Sequence, residues 1–272
     1  MKYLFETSER PCMLAISVKT YKPQRIRVKA YPVNKDKKPF PFTLYTNRYA
    51  TIVGQDKFLI KLPKTTQFTA VEIYNDALGN MPKGQDRTFT VVDIEKKWLP
   101  TQLFMFEFTN PIMASFIDFA ENFANKCGYM SPGIYYSPDA RFRIDYKAGA
   151  LPLPGGKTSS TPARIGSETA IVEVSKDKFK NYTVAGRFVI LCHEFSHFYK
   201  NINMKDEEEA DYYSVNVALG KGYPEVEMLI TYGQIFDSAD NAGNRKRYDR
   251  IKKYINDFAF TAKKKKQELA SK

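Results

Sequence analysis

The 272-residue sequence predicts an α+β fold: an N-terminal antiparallel β-sandwich or barrel-like domain, then a smaller domain of helix, short sheet and further helices. Three observations predict it. Short segments rich in β-branched and aromatic residues follow one another through the first hundred positions. Helical spacing of apolar residues replaces them after residue 110. Clusters of Pro, Gly, Asn and Asp punctuate the whole.

The expected strands are AISVKTY, RIRVKAYPV, FTLYTNR, KFLIKL, FTAVEIY and TFTVVDI, parted by KPQ, NKDKKP, VGQD and NDALGNMPKGQD. In RIRVKAYPV, Ile26, Val28 and Ala30 share one face, and Arg25, Arg27 and Lys29 the other. Residues 1–100 contain no catalytic constellation and are read as a docking or adaptor domain, suited to homo-oligomer or larger assembly contacts. After WLPTQ, the run PIMASFIDFAENFANKCGYM is helical in period, with Pro111 at its start and Gly128 at its end. Two strands follow, RFRIDYKA and ETAIVEVS, on either side of a Pro/Gly/Ser-rich loop at 151–166. Helices are expected over 184–200, 206–220, 224–237 and 242–259. The second domain spans 101–240, and 241–272 form a basic helix and tail.

The net charge of +12 is unevenly placed. Residues 19–38 carry eight Lys/Arg against one Asp, and 245–272 carry eleven against three acids. The terminal run Lys263 to Lys266 is a candidate contact for an acidic partner or nucleic acid, although no nucleic-acid motif accompanies it. Three widely spaced cysteines (Cys12, Cys127, Cys192) form neither a disulfide framework nor a CxxC metal clip. No stretch is apolar enough for a membrane span. The N-terminus reaches Glu6 and Arg10 before any apolar run, so no export signal is expected, and the expected location is cytoplasmic.

Both histidines of the chain lie in CHEFSH. On a helix, His193 and His197 stand one turn apart on one face and reach a single tetrahedral metal. Glu194, rotated by about 100°, reaches a water held on that metal rather than the metal itself. This is the HExxH arrangement of two ligands and a general base. A peptidase site needs a third protein ligand. No histidine is left, so it must be a carboxylate, and the helix beginning EEEAD supplies several. Glu207, Ala210, Asp211 and Ser214 fall on one stripe of it, and the small Ala210 allows close approach to the histidine helix. Asp206 is the expected cap. Cys192 is read as a buried free thiol.

HExxH followed by ExxAD resembles the gluzincin branch of zinc metallopeptidases, and most closely its compact members, such as the prenyl-protein and the repressor-cleaving peptidases. The resemblance covers residues of about 110–240 and implies a small zincin-like domain of helix, short sheet, HExxH helix and glutamate helix. It implies Zn2+ on His193, His197 and Glu207, with Asp211 holding a ligand histidine from behind and Glu194 as general base. It also implies a peptide substrate pairing with an edge strand ahead of the histidine helix, which places Glu168, Ala170 and Val172 in contact with substrate. Ser196 stands where the motif often has Gly. The membrane helices of the prenyl-protein group and the helix-turn-helix of the repressor-cleaving group are both absent.

An oxyanion donor is also required. With no histidine to spare, Tyr232 is the first candidate, ahead of Tyr212 and Tyr213. The expected activity is zinc-dependent endopeptidase cleavage of a protein or peptide. A second reading is a structural or assembly protein, such as a phage virion or tail component, using a zincin-like domain for packing or zinc binding. A third is a metal-dependent regulator that cleaves one partner.

Overall fold

The computed structural model describes residues 1–7, 10–62, 68–78, 88–99, 111–166, 169–199, 206–237 and 241–270, with the side chains of 199 and 259–270 outside that description. The chain is mixed α+β. Strands β1 (Lys2–Glu6), β2 (Cys12–Val33), β3 (Thr46–Leu62), β4 (Phe68–Asn75) and β5 (Phe89–Trp98) form one antiparallel sheet. Among the described residues all five strands belong to this single sheet, rather than to the two facing sheets of a sandwich. The 22-residue β2 is its axis. Along one side, β2 pairs with β3 over nearly its full length. Along the other, β5 pairs with the first half and β4 with the second.

Two expected turns are absent for one reason. AISVKTY and RIRVKAYPV are a single strand, as are the end of FTLYTNR, from Thr46, and KFLIKL. Where KPQ should turn, the pairing steps from Thr20–Gly54 to Gln24–Ile52, leaving Tyr21, Lys22 and Pro23 as a bulge. Pro23, which has no N–H to donate, is tolerated there. Gly54 opposite has φ +75°, and the Thr20 hydroxyl donates to the Ile52 carbonyl at 3.0 Å. Both strands bend together instead of reversing. NKDKKP does turn, with Lys37 at φ 61°.

Helix α1 (Pro111–Lys126) follows, burying Phe116, Ile117, Phe119, Ala120, Phe123 and Ala124 on its periodic face. A second sheet has the order β6 (Gly133–Tyr136), β7 (Arg143–Lys147), β9 (Ile171–Ser175), β8 (Ala163–Ile165), and only β7–β9 is parallel. Helices α2 (Lys176–Phe179), α3 (Val184–Tyr199), α4 (Glu207–Gly220), α5 (Glu225–Asp237) and α6 (Ala242–Ala270) complete the chain. No described helix is long and apolar enough to cross a membrane.

One apolar core runs from β2 and β3 through α1, the second sheet and α3 to α6. Phe116 stacks on Phe195 of α3 at 3.7 Å between ring centroids. The first sheet is joined to the helices by polar contacts as well. The buried Glu227 of α5 accepts from Thr46 (2.5 Å) and Thr183 (3.0 Å). Arg187, fully buried in α3, donates to the Phe42 and Phe179 carbonyls. Gly128 sits against this junction. A Cβ there would lie 2.5 Å from the Pro41 carbonyl oxygen and 2.7 Å from that of Phe42.

Candidate metal centre

Helix α3 is nearly all apolar and crosses the core, so its register is set by burial. Phe188, Leu191, Cys192 and Phe195 are buried, and His193, Glu194 and His197 line a cavity on one flank. Gly186 lets α5 come close, since a Cβ there would meet the Thr231 hydroxyl at 2.5 Å. Ser196, in the position where Gly is common, is buried, and its hydroxyl donates to the His193 carbonyl at 2.8 Å. The thiol of Cys192 is fully buried and its pKa is raised by burial, as befits a packing residue.

Helix α4 starts where expected. The Asp206 side chain accepts from the Glu209 N–H at 3.0 Å. Ala210 is fully buried in the contact with α3, and Asp211 and Ser214 are buried beside it. This close packing brings Glu207 over the two histidines. His193 Nε2 and His197 Nε2 are 3.1 Å apart. Glu207 Oε2 is 3.4 Å from the first, and Oε1 is 3.6 Å from the second. Together the three residues form a group able to hold a metal ion.

The spacing itself is a test of fit. Two ligand atoms bonded at about 2.0–2.1 Å across a tetrahedral angle stand about 3.3 Å apart. The His193–His197 separation is close to that value, and the three ligand atoms, one from each residue, lie within 4.8 Å of one another. Two nitrogens and one carboxylate oxygen are also the donor set that zinc accepts at three of its four positions.

The supporting contacts are dense. Asp211 Oδ1 lies 3.0 Å from His193 Nδ1, so His193 directs Nε2 at the site. Burial opposes charge on His193, yet its contacts with Asp211 and Glu207 outweigh that and raise it to about 10 in the metal-free state. The His193 contact, with Arg247 and His197 adding, holds Glu207 down at about 2. Burial lowers His197. Burial also raises the Glu194 carboxyl, against a smaller opposing effect of the His193 charge and the Ile165 backbone.

One contributor was not expected from the sequence. Arg247 of α6 donates from Nε to Asp211 Oδ2 at 2.8 Å, and from Nη2 to Asp211 Oδ1 and Glu207 Oε2, both at 2.9 Å. In sequence it is one cation in the basic stretch NRKRYDR. The available hint was that a buried Asp211 needs a cation, but nothing local says which.

Histidines, Glu194, Glu207, Asp211 and Arg247 line a cavity of about 520 Å3. Val189, Ile190, Ile235 and Phe236 form an apolar wall, and Ser160 to Ile165 form the opposite rim. The loop at 151–166 therefore ends as part of the site rather than as a plain connection.

One expectation needs correction. The strand Ile171–Ser175 is not an edge. Val172 pairs with Ile144 on one side and Ile165 on the other, and is buried. Ala170 lies in the turn that precedes it, at φ 52°, and Glu168 lies outside the described residues. The edge is β8, too short to stand out in the sequence. The Gly166 N–H bonds to the Ile171 carbonyl and the Ser175 N–H to that of Pro162. By alternation, Ala163 and Ile165 turn their backbone groups away from β9, and Ile165 meets Glu194. Tyr232 does line the cavity, but its hydroxyl shares a 2.6 Å hydrogen bond with Ser214 and lies 3.5 Å from the Asp211 carbonyl. Tyr212 donates to Glu208 at 3.2 Å and packs on Tyr254.

No protein-family model, no curated protein and no solved structure matches this chain.

Proposed function

We propose that the chain is a zinc-dependent endopeptidase of the gluzincin type, with His193, His197 and Glu207 as the protein ligands. The observation that carries this reading is the donor set: two imidazole nitrogens 3.1 Å apart and a glutamate whose two oxygens come within 3.4 Å of one and 3.6 Å of the other, with Glu194 beside them and outside the set. His193, His197 and Glu207 would hold the zinc, which when bound would supply Lewis acidity and lower the pKa of a water to about 7. Glu194 takes the proton of the attacking water and passes it to the leaving amine. Its place in the same cavity, beside the two histidines and outside the ligand set, suits that role.

The outward edge of β8, where Ile165 is half-buried at the cavity rim, is the place for an extended peptide, added as a further strand by backbone hydrogen bonds. The wall of Val189, Ile190, Ile235 and Phe236 favours an apolar substrate side chain next to the cleaved bond.

The test combines zinc analysis with cleavage of a peptide library by wild type and Glu194→Gln. The expected result is one zinc per chain in both proteins, with chelator-sensitive cleavage in wild type alone. Full cleavage by a zinc-loaded Glu194→Gln protein refutes the mechanism. Stoichiometric zinc with no cleavage by either is the outcome of the packing or assembly reading.

A further inference from the structure

Arg247 stands in the second turn of α6, an element that the HExxH and ExxAD motifs do not include. Its guanidinium touches two others, α4 and α5. Two of its nitrogens grip both oxygens of Asp211, and Nη2 also reaches Glu207. Its face lies 4.9 Å from the ring centroid of Phe236 on α5. The fork geometry is suited to arginine, since a lysine ammonium has no fixed plane with which to bridge two carboxylates.

The two carboxylates differ in what holds them. Asp211 is buried and packed, whereas the Glu207 side chain is 49% exposed. A half-exposed glutamate in the first turn of a helix samples several rotamers. The contacts that select the one facing the histidines are the histidines themselves and Arg247. Placing a cation near a metal site opposes metal binding by Coulomb repulsion. Here that charge is largely matched by its bidentate contact with Asp211, so the gain in ligand positioning outweighs the repulsion.

We propose that Arg247 is a positioning residue that sets the zinc affinity of the site by fixing Glu207 and Asp211 as one unit. In this way the C-terminal helix becomes part of the metal centre. The inference rests on the metal-site reading above. Arg250 provides a matched control: one turn further along α6 it pairs with Glu208 of α4, joining the same two helices away from the histidines.

The experiment is a competition titration of zinc against a fluorescent chelator with the full chain, as wild type, Arg247→Ala, Arg247→Lys and Arg250→Ala. Circular dichroism melts in EDTA accompany each variant. The expected result is a 10–100-fold loss of zinc affinity in Arg247→Ala, incomplete recovery in Arg247→Lys, and wild-type affinity in Arg250→Ala. Should Arg247→Ala not fold, Arg247→Gln, which keeps the length and one N–H donor group, takes its place with the same expected loss. Zinc binding by wild type with an unchanged Arg247 variant overturns the inference alone. Equal losses in the Arg247 and Arg250 variants also overturn it, since helix docking would then be the cause. A wild type that takes up no zinc overturns the metal-site reading itself.

Discussion

Replacing Asp211 by alanine should be among the most damaging single changes in this chain. Its side chain is 1% exposed, accepts from Arg247 Nε at 2.8 Å and Arg247 Nη2 at 2.9 Å, and lies 3.0 Å from His193 Nδ1. Removing one member of a buried ion pair costs about 3–5 kcal/mol, because the partner charge is left behind. Arg247 is 22% exposed, so water recovers part of its solvation. That places Asp211→Ala at about 3 kcal/mol, the low end. Asp211→Asn keeps an acceptor for His193 but loses the charge that Arg247 faces. A hydrogen bond to a charged group contributes about 1.5–3 kcal/mol, so the loss for Asn should be about 2 kcal/mol. The assay is urea denaturation in EDTA near pH 6, which keeps metal out of the comparison, with the m-value checked for constancy. A loss below about 1 kcal/mol for Asp211→Ala would refute the reasoning. It would mean that Arg247 and His193 are adequately solvated without their carboxylate.

Three further outcomes follow from the same structure. In metal-free protein, the His193–Glu207 contact should add stability only within a window of pH. His193 is raised from 6.5 to about 10, so its share is complete below pH 6.5 and lost as pH rises through 10. Glu207 is lowered from 4.5 to about 2, so its share is complete above pH 4.5 and lost as pH falls through 2. The stability difference between wild type and Glu207→Gln, measured by denaturant midpoints in EDTA, should therefore peak between pH 4.5 and 6.5 and shrink on both sides. Gly128→Ala should destabilise by about 1–3 kcal/mol, since its Cβ would press on the backbone oxygens of Pro41 and Phe42, which cannot swing aside. A wild-type melting temperature in that variant would contradict the packing described. Cys12, Cys127 and Cys192 are all buried with raised thiol pKa values, so an aromatic disulfide reagent should label none in native protein and all three in denaturant.

The helices around the site were legible because their signals are local. Helix α3 is announced by an unbroken apolar period, and α4 by the Asp206 cap, so their ends fall within about a residue of expectation. The placing of Glu207 and Asp211 on one stripe followed from helical geometry alone, and the structure brings both to the histidines. The β-rich half was legible as strands but not as a sheet. KPQ and VGQD read as turns in any short window, and only pairing across β2 and β3 converts them into a shared bend. The edge strand was misassigned for a similar reason. Its three residues carry no period, and the longer, more hydrophobic Ile171–Ser175 is hydrophobic because it is interior. Tyr232 was placed near the site correctly, but its hydroxyl direction depends on Ser214, a contact that no spacing reveals. Arg247 was hidden among the other cations of α6 because its partner lies on a different helix.

The most direct test of the central claim is X-ray absorption at the zinc edge on zinc-loaded protein. The account predicts one zinc per chain with nitrogen and oxygen neighbours at about 2.0–2.1 Å, two of them imidazole, and no sulfur. Failure to load zinc, or a sulfur neighbour at about 2.3 Å, would contradict it, since every cysteine described here is buried away from His193, His197 and Glu207.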